Sequence, residues 1–430
     1  MLMWAQLITF VCMLGTFLLF AAALKLPPAL ATAGAAVVGL AVSGNIGSLY
    51  HLIEGAFGYF DVILIIAMAM VFMAALEAAG ILEEISYRIT RQLGNKPLLL
   101  SLASMVLVML PGMLTGSSTA AAMTTGRFVL PVLVNAGIAP ARAGAFVALG
   151  SIIGMIAPPV NVPVMIIGSG IDMPYVGFDI PLLLLSVPAA IAVSIWVVAG
   201  INKGPSGDKL EPGQAAPAGA SERIPGFKVY IPIIALLAMM LAVRLSKGSI
   251  PDPGIPFMFA AGALLAMVCG RPIKLWDTIV DGIGMAMPVM GVLVGAGMFV
   301  QVMTVTGVRG LLVTSALDIP IAWIFVVAAL ALPLFGAISA YASSSVMGVP
   351  ILLALLGNDE IVTAAALSML AAIGDLLPPI AIVPSLISQS SGEGPDFRSE
   401  LLRQAAVPIF CLVLWAFAVL RWAPAIGRLL

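Results

Sequence analysis

Apolar positions run along this chain in long blocks that polar positions interrupt only briefly. The blocks at 4–24, 28–43, 59–79, 140–171, 180–201, 228–246, 255–270, 284–306, 360–390 and 402–423 predict membrane-spanning helices, since about 20 apolar residues carry a helix across a bilayer. Two further pairs of apolar runs, 97–115 with 117–136 and 320–338 with 342–357, each bend at a small uncharged cluster. A loop reaching bulk water would carry charge, so these pairs predict re-entrant hairpins at 97–136 and 320–357. The blocks 140–171 and 360–390 each contain a double proline, Pro158-Pro159 and Pro378-Pro379, and predict broken helices. Backbone that leaves helical geometry inside a bilayer survives only where protein buries it or water reaches it.

One stretch has helical period without spanning character. Ile81, Ile85, Ile89 and Leu93 recur every four residues with charges on the opposite face, which predicts a helix lying in the interface plane. Its counterpart, 308–317, is less charged. The region 202–226 is rich in Pro, Gly, Ala and Ser and carries six charges at Lys203, Asp208, Lys209, Glu211, Glu222 and Arg223, the composition of a flexible linker. It separates a first repeat at 1–201 from a second at 227–430.

The repeats align. Gly80 falls on Gly307 at an offset of 227 (307 − 80), and the same offset carries Ser118 onto Ser345. The proline pairs differ by 220 (378 − 158). Each repeat makes five net crossings once a hairpin counts as zero, so the second starts on the opposite face and the repeat is inverted. Alternate threading places thirteen Lys and Arg on one face, from Lys25 to Arg403, and five on the other: Arg244, Lys247, Arg309, Arg421 and Arg428. The richer face is cytoplasmic. Both termini are then periplasmic, the first hairpin opens from the cytoplasm and the second from the outside.

Composition fits this reading. Apolar residues make up 62% and charged residues 9% of 430 positions, against roughly 25% charge in a soluble domain. The net charge of −1 comes with no basic stripe, which argues against nucleic acid. Cys12, Cys269 and Cys411 lie far apart in apolar runs and read as small hydrophobes. The run 4–24 is too long for a signal-peptide core and has no basic residue before it, so it reads as a first span that is not removed. No Walker, HExxH, GxSxG or CxxC motif is present, so neither ATP hydrolysis nor a familiar catalytic apparatus is expected.

The candidate chemistry sits at the interruptions. Thr115, Gly116, Ser117, Ser118 and Thr119 place hydroxyls and free carbonyls at the first hairpin tip. Pro158-Pro159 supplies no N–H, which frees carbonyls near Ile156 and Ala157. Such neutral oxygens suit a weakly held alkali cation, here Na⁺, whereas tight Mg²⁺ or Ca²⁺ sites use several carboxylates. Helix starts near Ser118 and Val160 favour an anionic group at the same place. Ser343, Ser344 and Ser345 offer hydroxyls in the second repeat, and Gly374 precedes Asp375, a carboxylate inside a span. Asp375 offers three roles, completing a cation site, carrying a proton or capping freed amides, unless it sits high enough to reach interfacial water. Asn161 reads equally as a ligand just past the first break or as a packed polar residue. Arg127 offers bidentate recognition of a substrate carboxylate, although helical rise puts it about 13–15 Å from the tip and favours snorkelling. The outer-loop His51 beside Glu54 reads as solvated. Ser, Thr and Pro also kink packed helices without further purpose, but two breaks in matching places point to a transporter's binding site.

At these residues the chain resembles the large membrane subunit of tripartite ATP-independent periplasmic (TRAP) transporters, within the wider ion-transporter superfamily. The matching segments are Leu26-Pro27-Pro28-Ala29-Leu30, Ala79-Gly80-Ile81-Leu82-Glu83-Glu84, the run Thr115 to Ala122, Gly150-Ser151-Ile152-Ile153-Gly154, Pro158-Pro159 and Leu376-Leu377-Pro378-Pro379. The resemblance implies an all-α, elevator-type, Na⁺-coupled importer of organic acids in a bacterial inner membrane. It also implies a small four-span membrane subunit and a periplasmic substrate-binding protein as partners. The second repeat departs from the family pattern. Ala340-Tyr341-Ala342-Ser343-Ser344-Ser345 and Val349-Pro350 stand where an acid and a Thr-Pro step are usual, and Asp375 follows the Ile373-Gly374 pair that an acid usually precedes. The rival readings are a stand-alone exchanger or proton-coupled carrier, and a structural membrane subunit with no transport site. Uncharged helix breaks argue against the last.

Overall fold

A computed structural model describes residues 2–201, 226–246, 251–317, 320–391 and 395–429. The expected linker, apart from Gly226, lies outside the described residues. The first half runs α1 (Leu2–Leu18, continued by a π turn), α2 (Pro28–Val42), α3 (Tyr50–Ala56), α4 (Phe60–Ala78), α5 (Ile81–Leu93), α6 (Pro97–Thr115), α7 (Ser118–Thr124), α8 (Gly126–Asn135), α9 (Pro140–Ile156), α10 (Val162–Ser169) and α11 (Asp179–Val198). The second runs α12 (Ile231–Leu245), α13 (Ile255–Cys269), α14 (Leu275–Val305), α15 (Val308–Leu317), α16 (Ile321–Gly336), α17 (Ala340–Ser343), a π segment (Ser344–Gly348), α18 (Val349–Ala354), α19 (Glu360–Ile373), α20 (Ile382–Ser390), α21 (Pro395–Arg421) and α22 (Ala423–Gly427). Among the described residues all regular structure is helical, and seven helices are long and apolar enough to cross a membrane.

The halves correspond element by element: three scaffold positions, an arm, a hairpin, a broken helix and a last span. Gly80 and Gly307 both take positive φ, 70° and 73°, just before their arms. Prolines open α2, α6 and α9 at positions where a helix has no use for the missing N–H. Two helices begin earlier than hydropathy predicts. The helix α14 starts at Leu275, not 284, and carries Asp277 and Asp281 in its first turns. Likewise α21 starts at Pro395, not 402, with Asp396, Arg398, Glu400 and Arg403. Acidic residues in the first turn, Asp277 and Asp396, complement the helix dipole, so both helices extend beyond the apolar stretch.

Helices α2, α3, α4, α13 and α14 pack together as one group, so scaffold helices from both halves interlock. The second group, α6–α11 with α16–α21, meets through α9 against α19 and α21, α10 against α19, and α20 against α7. The arm α5 turns its apolar residues inward: Ile81, Leu82 and Ile85 are buried. Its Glu83 accepts from Arg271 at 3.1 Å, and Arg88 donates to the Gly226 carbonyl at 2.6 Å. His51 lies in α3, not in a loop, with Nδ1 2.8 Å from Glu54, which also accepts from Gln301 of α14 at 2.9 Å.

In both halves the hairpin meets the broken helix through bare backbone. A methyl group on Gly154 would stand 2.5 Å from the Met109 carbonyl oxygen, and one on Gly374 would stand 2.2 Å from Gly336 backbone atoms. These glycines bring each tip against its break. Gly154→Ala is expected to destabilise the protein by about 1–3 kcal/mol, the usual cost of overpacking, read as a lower melting temperature in detergent. Gly284→Ala on α14, where the added methyl meets nothing within 4 Å, is the control and should melt at or above the parent temperature. Equal melting of the two variants would contradict this reading.

Candidate functional site

The first tip is built by local capping. Gly116, at φ 63°, ends α6, and a side chain there would overlap Val162 at the start of α10. The Thr115 hydroxyl donates to the Pro111 carbonyl at 2.7 Å and accepts from the Ser117 N–H at 3.2 Å. Ser117 caps α7 by accepting from the Ala120 N–H at 3.2 Å, and its hydroxyl lies 3.0 Å from that of Thr119. In the second tip Ser339 caps α17, accepting from the Ala342 N–H at 3.4 Å. The two caps lie 222 residues apart (339 − 117). Structure therefore pairs Ser118 with Ala340, the first residues of α7 and α17, and not with Ser345. The offset of 227 holds at the arms but not at the tips, because the second half is five residues shorter between them (227 − 222).

Both double prolines are cis and lie at the breaks between α9 and α10 and between α19 and α20. After the first, Asn161 uses every polar group it has. Its Oδ1 accepts from the Val164 N–H at 3.0 Å, and its Nδ2 donates to the Ile156 carbonyl and to Ser368 Oγ, each at 3.0 Å. Its N–H donates to the Tyr175 hydroxyl at 3.2 Å, and Tyr175 donates to the Pro159 carbonyl at 3.1 Å. The break near Ile156 and Ala157 is thus stitched by the protein's own donors, and Asn161 ties it to α19 of the other half. At the second break Ala381 has φ 44°, and Arg398 places its guanidinium 2.9 Å from the Ile380 carbonyl and 3.3 Å from that of Pro379.

The two tips and the second break meet at Asp375. Its side chain is buried, with Oδ2 accepting from Ser118 Oγ at 2.6 Å and Oδ1 accepting from the Ala340 N–H at 3.1 Å. One carboxylate thereby joins equivalent positions of both hairpins. Directly beside it, the Tyr341 hydroxyl donates to the Gly116 carbonyl at 2.9 Å. Among the described residues no Lys or Arg forms an ion pair with Asp375. Asp375 does not reach interfacial water, being 5% exposed.

Other sequence-predicted residues lie apart from this junction. Ser343 donates to the Leu332 carbonyl at 2.7 Å and Ser344 to that of Ala340 at 2.9 Å, both within their own hairpin. Ser345 donates at 3.3 Å to the Ala296 carbonyl of α14, so it marks the contact of hairpin with scaffold. Arg127 pairs with Glu77 at the end of α4, with 49% of its side chain exposed. Tyr341, Ser339, Ser368, Tyr175 and Arg398 escaped the sequence reading. Only Tyr341 carried a signal, as the one aromatic residue inside the second polar cluster.

The family model for the tripartite ATP-independent periplasmic transporter, DctM component, matches residues 13–426. Among solved structures, the crystal structure of the Alcanivorax borkumensis YdaH transporter, described as having an unusual topology, is similar with a TM-score of 0.56. That likeness covers 88% of this chain and 89% of the other at 16% identity, and it shows a shared fold. No curated protein matches by sequence. With nearly the whole chain matched, and with two tips and two breaks converging in an all-helical membrane fold, this protein belongs to the DctM component family of tripartite ATP-independent periplasmic transporters.

Proposed function

We propose that this large permease component imports a small organic acid by secondary active transport coupled to a Na⁺ gradient. The observation that carries the reading is Asp375: a buried carboxylate, bonded to neutral donors and to no cationic side chain among the described residues. A buried charge without a partner is costly, and a mobile cation bound there would offset that cost. Asp375, the Ser118 hydroxyl and the Gly116 carbonyl supply the hard oxygens such an ion prefers, whereas the Gly374 carbonyl accepts from the Leu377 N–H at 2.7 Å within its own turn. Thr115 stands one residue before this set, and half-buried Thr119 with Ser117 lies at the rim, where a substrate carboxylate finds hydroxyl donors.

Transport proceeds in this reading as an elevator. The group α6–α11 with α16–α21 carries the site past the scaffold, and the α5 and α15 arms join the two. Three contacts bridge the groups and must change during such movement, Arg127 to Glu77, Ser345 to the Ala296 carbonyl and Tyr59 to the Ile166 carbonyl, while Arg309 of the α15 arm holds the Gly170 carbonyl. A small four-span subunit and a periplasmic substrate-binding protein complete the transporter, with both termini periplasmic.

Reconstituted with these two partners, the protein is expected to accumulate an organic acid when Na⁺ is higher outside, and not when choline replaces Na⁺. Uptake unaffected by that replacement would contradict Na⁺ coupling, and uptake without any periplasmic fraction would contradict the partner requirement. Asp375→Asn keeps the shape and removes the charge. Loss of a charge-assisted contact weakens Na⁺ by about 1–3 kcal/mol, or roughly five- to 150-fold. Ser118→Ala should also raise the Na⁺ concentration needed for half-maximal uptake, whereas Ser345→Ala, whose hydroxyl faces α14, should not. Unchanged Na⁺ dependence in Asp375→Asn would remove Asp375 from the ion site.

A further inference from the structure

The Gly116 carbonyl occupies an unusual position at the meeting of the two tips. It belongs to a glycine held at φ 63° between α6 and α7, and it points at the second hairpin, where Tyr341 donates to it at 2.9 Å. Tyr341 is 8% exposed and sits one residue after Ala340, whose N–H holds Asp375. The second half therefore closes on the first tip with two bonds side by side. Asp375 takes the Ser118 proton donor, and Tyr341 supplies a donor to the Gly116 acceptor. Two adjacent polar groups of the first tip, the Ser118 hydroxyl and the Gly116 carbonyl, are thus engaged by side chains of the other half.

We propose that Tyr341 is a positioning residue that sets the cation requirement of the site, its hydroxyl competing with the coupling cation for the Gly116 carbonyl. This rests on the reading of the junction as a Na⁺ site. A carbonyl oxygen that accepts an O–H has less electron density to offer a cation, and the hydroxyl hydrogen occupies the approach side. Cation entry turns or displaces the phenol, so the tip bond opens as the ion binds. Because Tyr341 comes from the second hairpin and Gly116 from the first, this exchange makes binding at one tip depend on the position of the other. A residue that only packed the tips would act in the opposite sense. Its loss would loosen the junction and weaken the cation.

Tyr341→Phe deletes the hydroxyl and keeps the ring. In Na⁺ titrations of uptake by the assembled transporter, this variant is expected to reach half-maximal rate at an Na⁺ concentration about two- to tenfold lower than the parent, the range of one net hydrogen bond. Tyr341→Met, which also removes the hydroxyl but changes the packing, should shift in the same direction. A Na⁺-dependent rise in melting temperature of the purified proteins provides a readout without uptake, and its midpoint should move with the kinetic one. An unchanged or raised Na⁺ requirement in both variants, with a Na⁺-dependent parent, would overturn the role of Tyr341 and leave the ion site standing. A parent indifferent to Na⁺ would overturn both. Failure of both variants to fold would assign Tyr341 to packing and likewise overturn the proposal.

Discussion

A single buried carboxylate with two neutral donors holds the centre of this molecule together. Asp375 accepts from Ser118 of one hairpin and from the Ala340 backbone of the other, so at this junction the two hairpins are joined by hydrogen bonds to a carboxylate that, among the described residues, has no ion-pair partner. An apolar residue there would leave the Ala340 N–H and the Ser118 hydroxyl buried without that acceptor, at a cost of about 1–3 kcal/mol for each unsatisfied group. A charge there, in turn, calls for a compensating cation. The remaining architecture can be understood as what brings these three groups within bonding distance.

That placement depends on backbone against backbone. Each hairpin's first limb presses a glycine onto the broken helix just before its double proline, Gly112 on Gly154 and Gly336 on Gly374. The two breaks are finished differently. The first is closed by Asn161, whose bonds to Ile156, Val164 and Ser368 use all its side-chain groups. The second has Ala381 at the equivalent cap position, with no side-chain cap, and leaves its carbonyls to Arg398. The asymmetry leaves the second half with the open chemistry and the first with the rigid frame.

Much of this was legible in the sequence. Gly, Ser and Pro interruptions in apolar runs located both hairpins and both breaks, because only such residues leave helical geometry at low cost. The arm α5 followed from the four-residue spacing of Ile81, Ile85, Ile89 and Leu93, and its observed bounds are the expected ones. The early starts of α14 and α21 were hidden because hydropathy reports burial in lipid and not helicity. Register at the tips was hidden for another reason. The serine runs around Ser118 and Ser345 look alike, whereas the true equivalence rests on the capping geometry of Ser117 and Ser339. A hydroxyl's partner is a fact of three dimensions. Nothing local distinguishes Ser118, which meets Asp375, from Ser345, which meets α14.

The central claim is that Asp375 and the two tips form one cation site that spans both halves. Ion binding to the purified protein tests it without any assumption about substrate or partners, because a ligand that binds only the folded state raises its stability with the logarithm of its concentration relative to its dissociation constant. The melting temperature of the wild-type protein is predicted to rise with Na⁺ at constant ionic strength and not with choline, and Asp375→Asn is predicted to lose most of that rise. A melting temperature equally indifferent to Na⁺ and choline, or a Na⁺-specific rise that survives intact in Asp375→Asn, would contradict it.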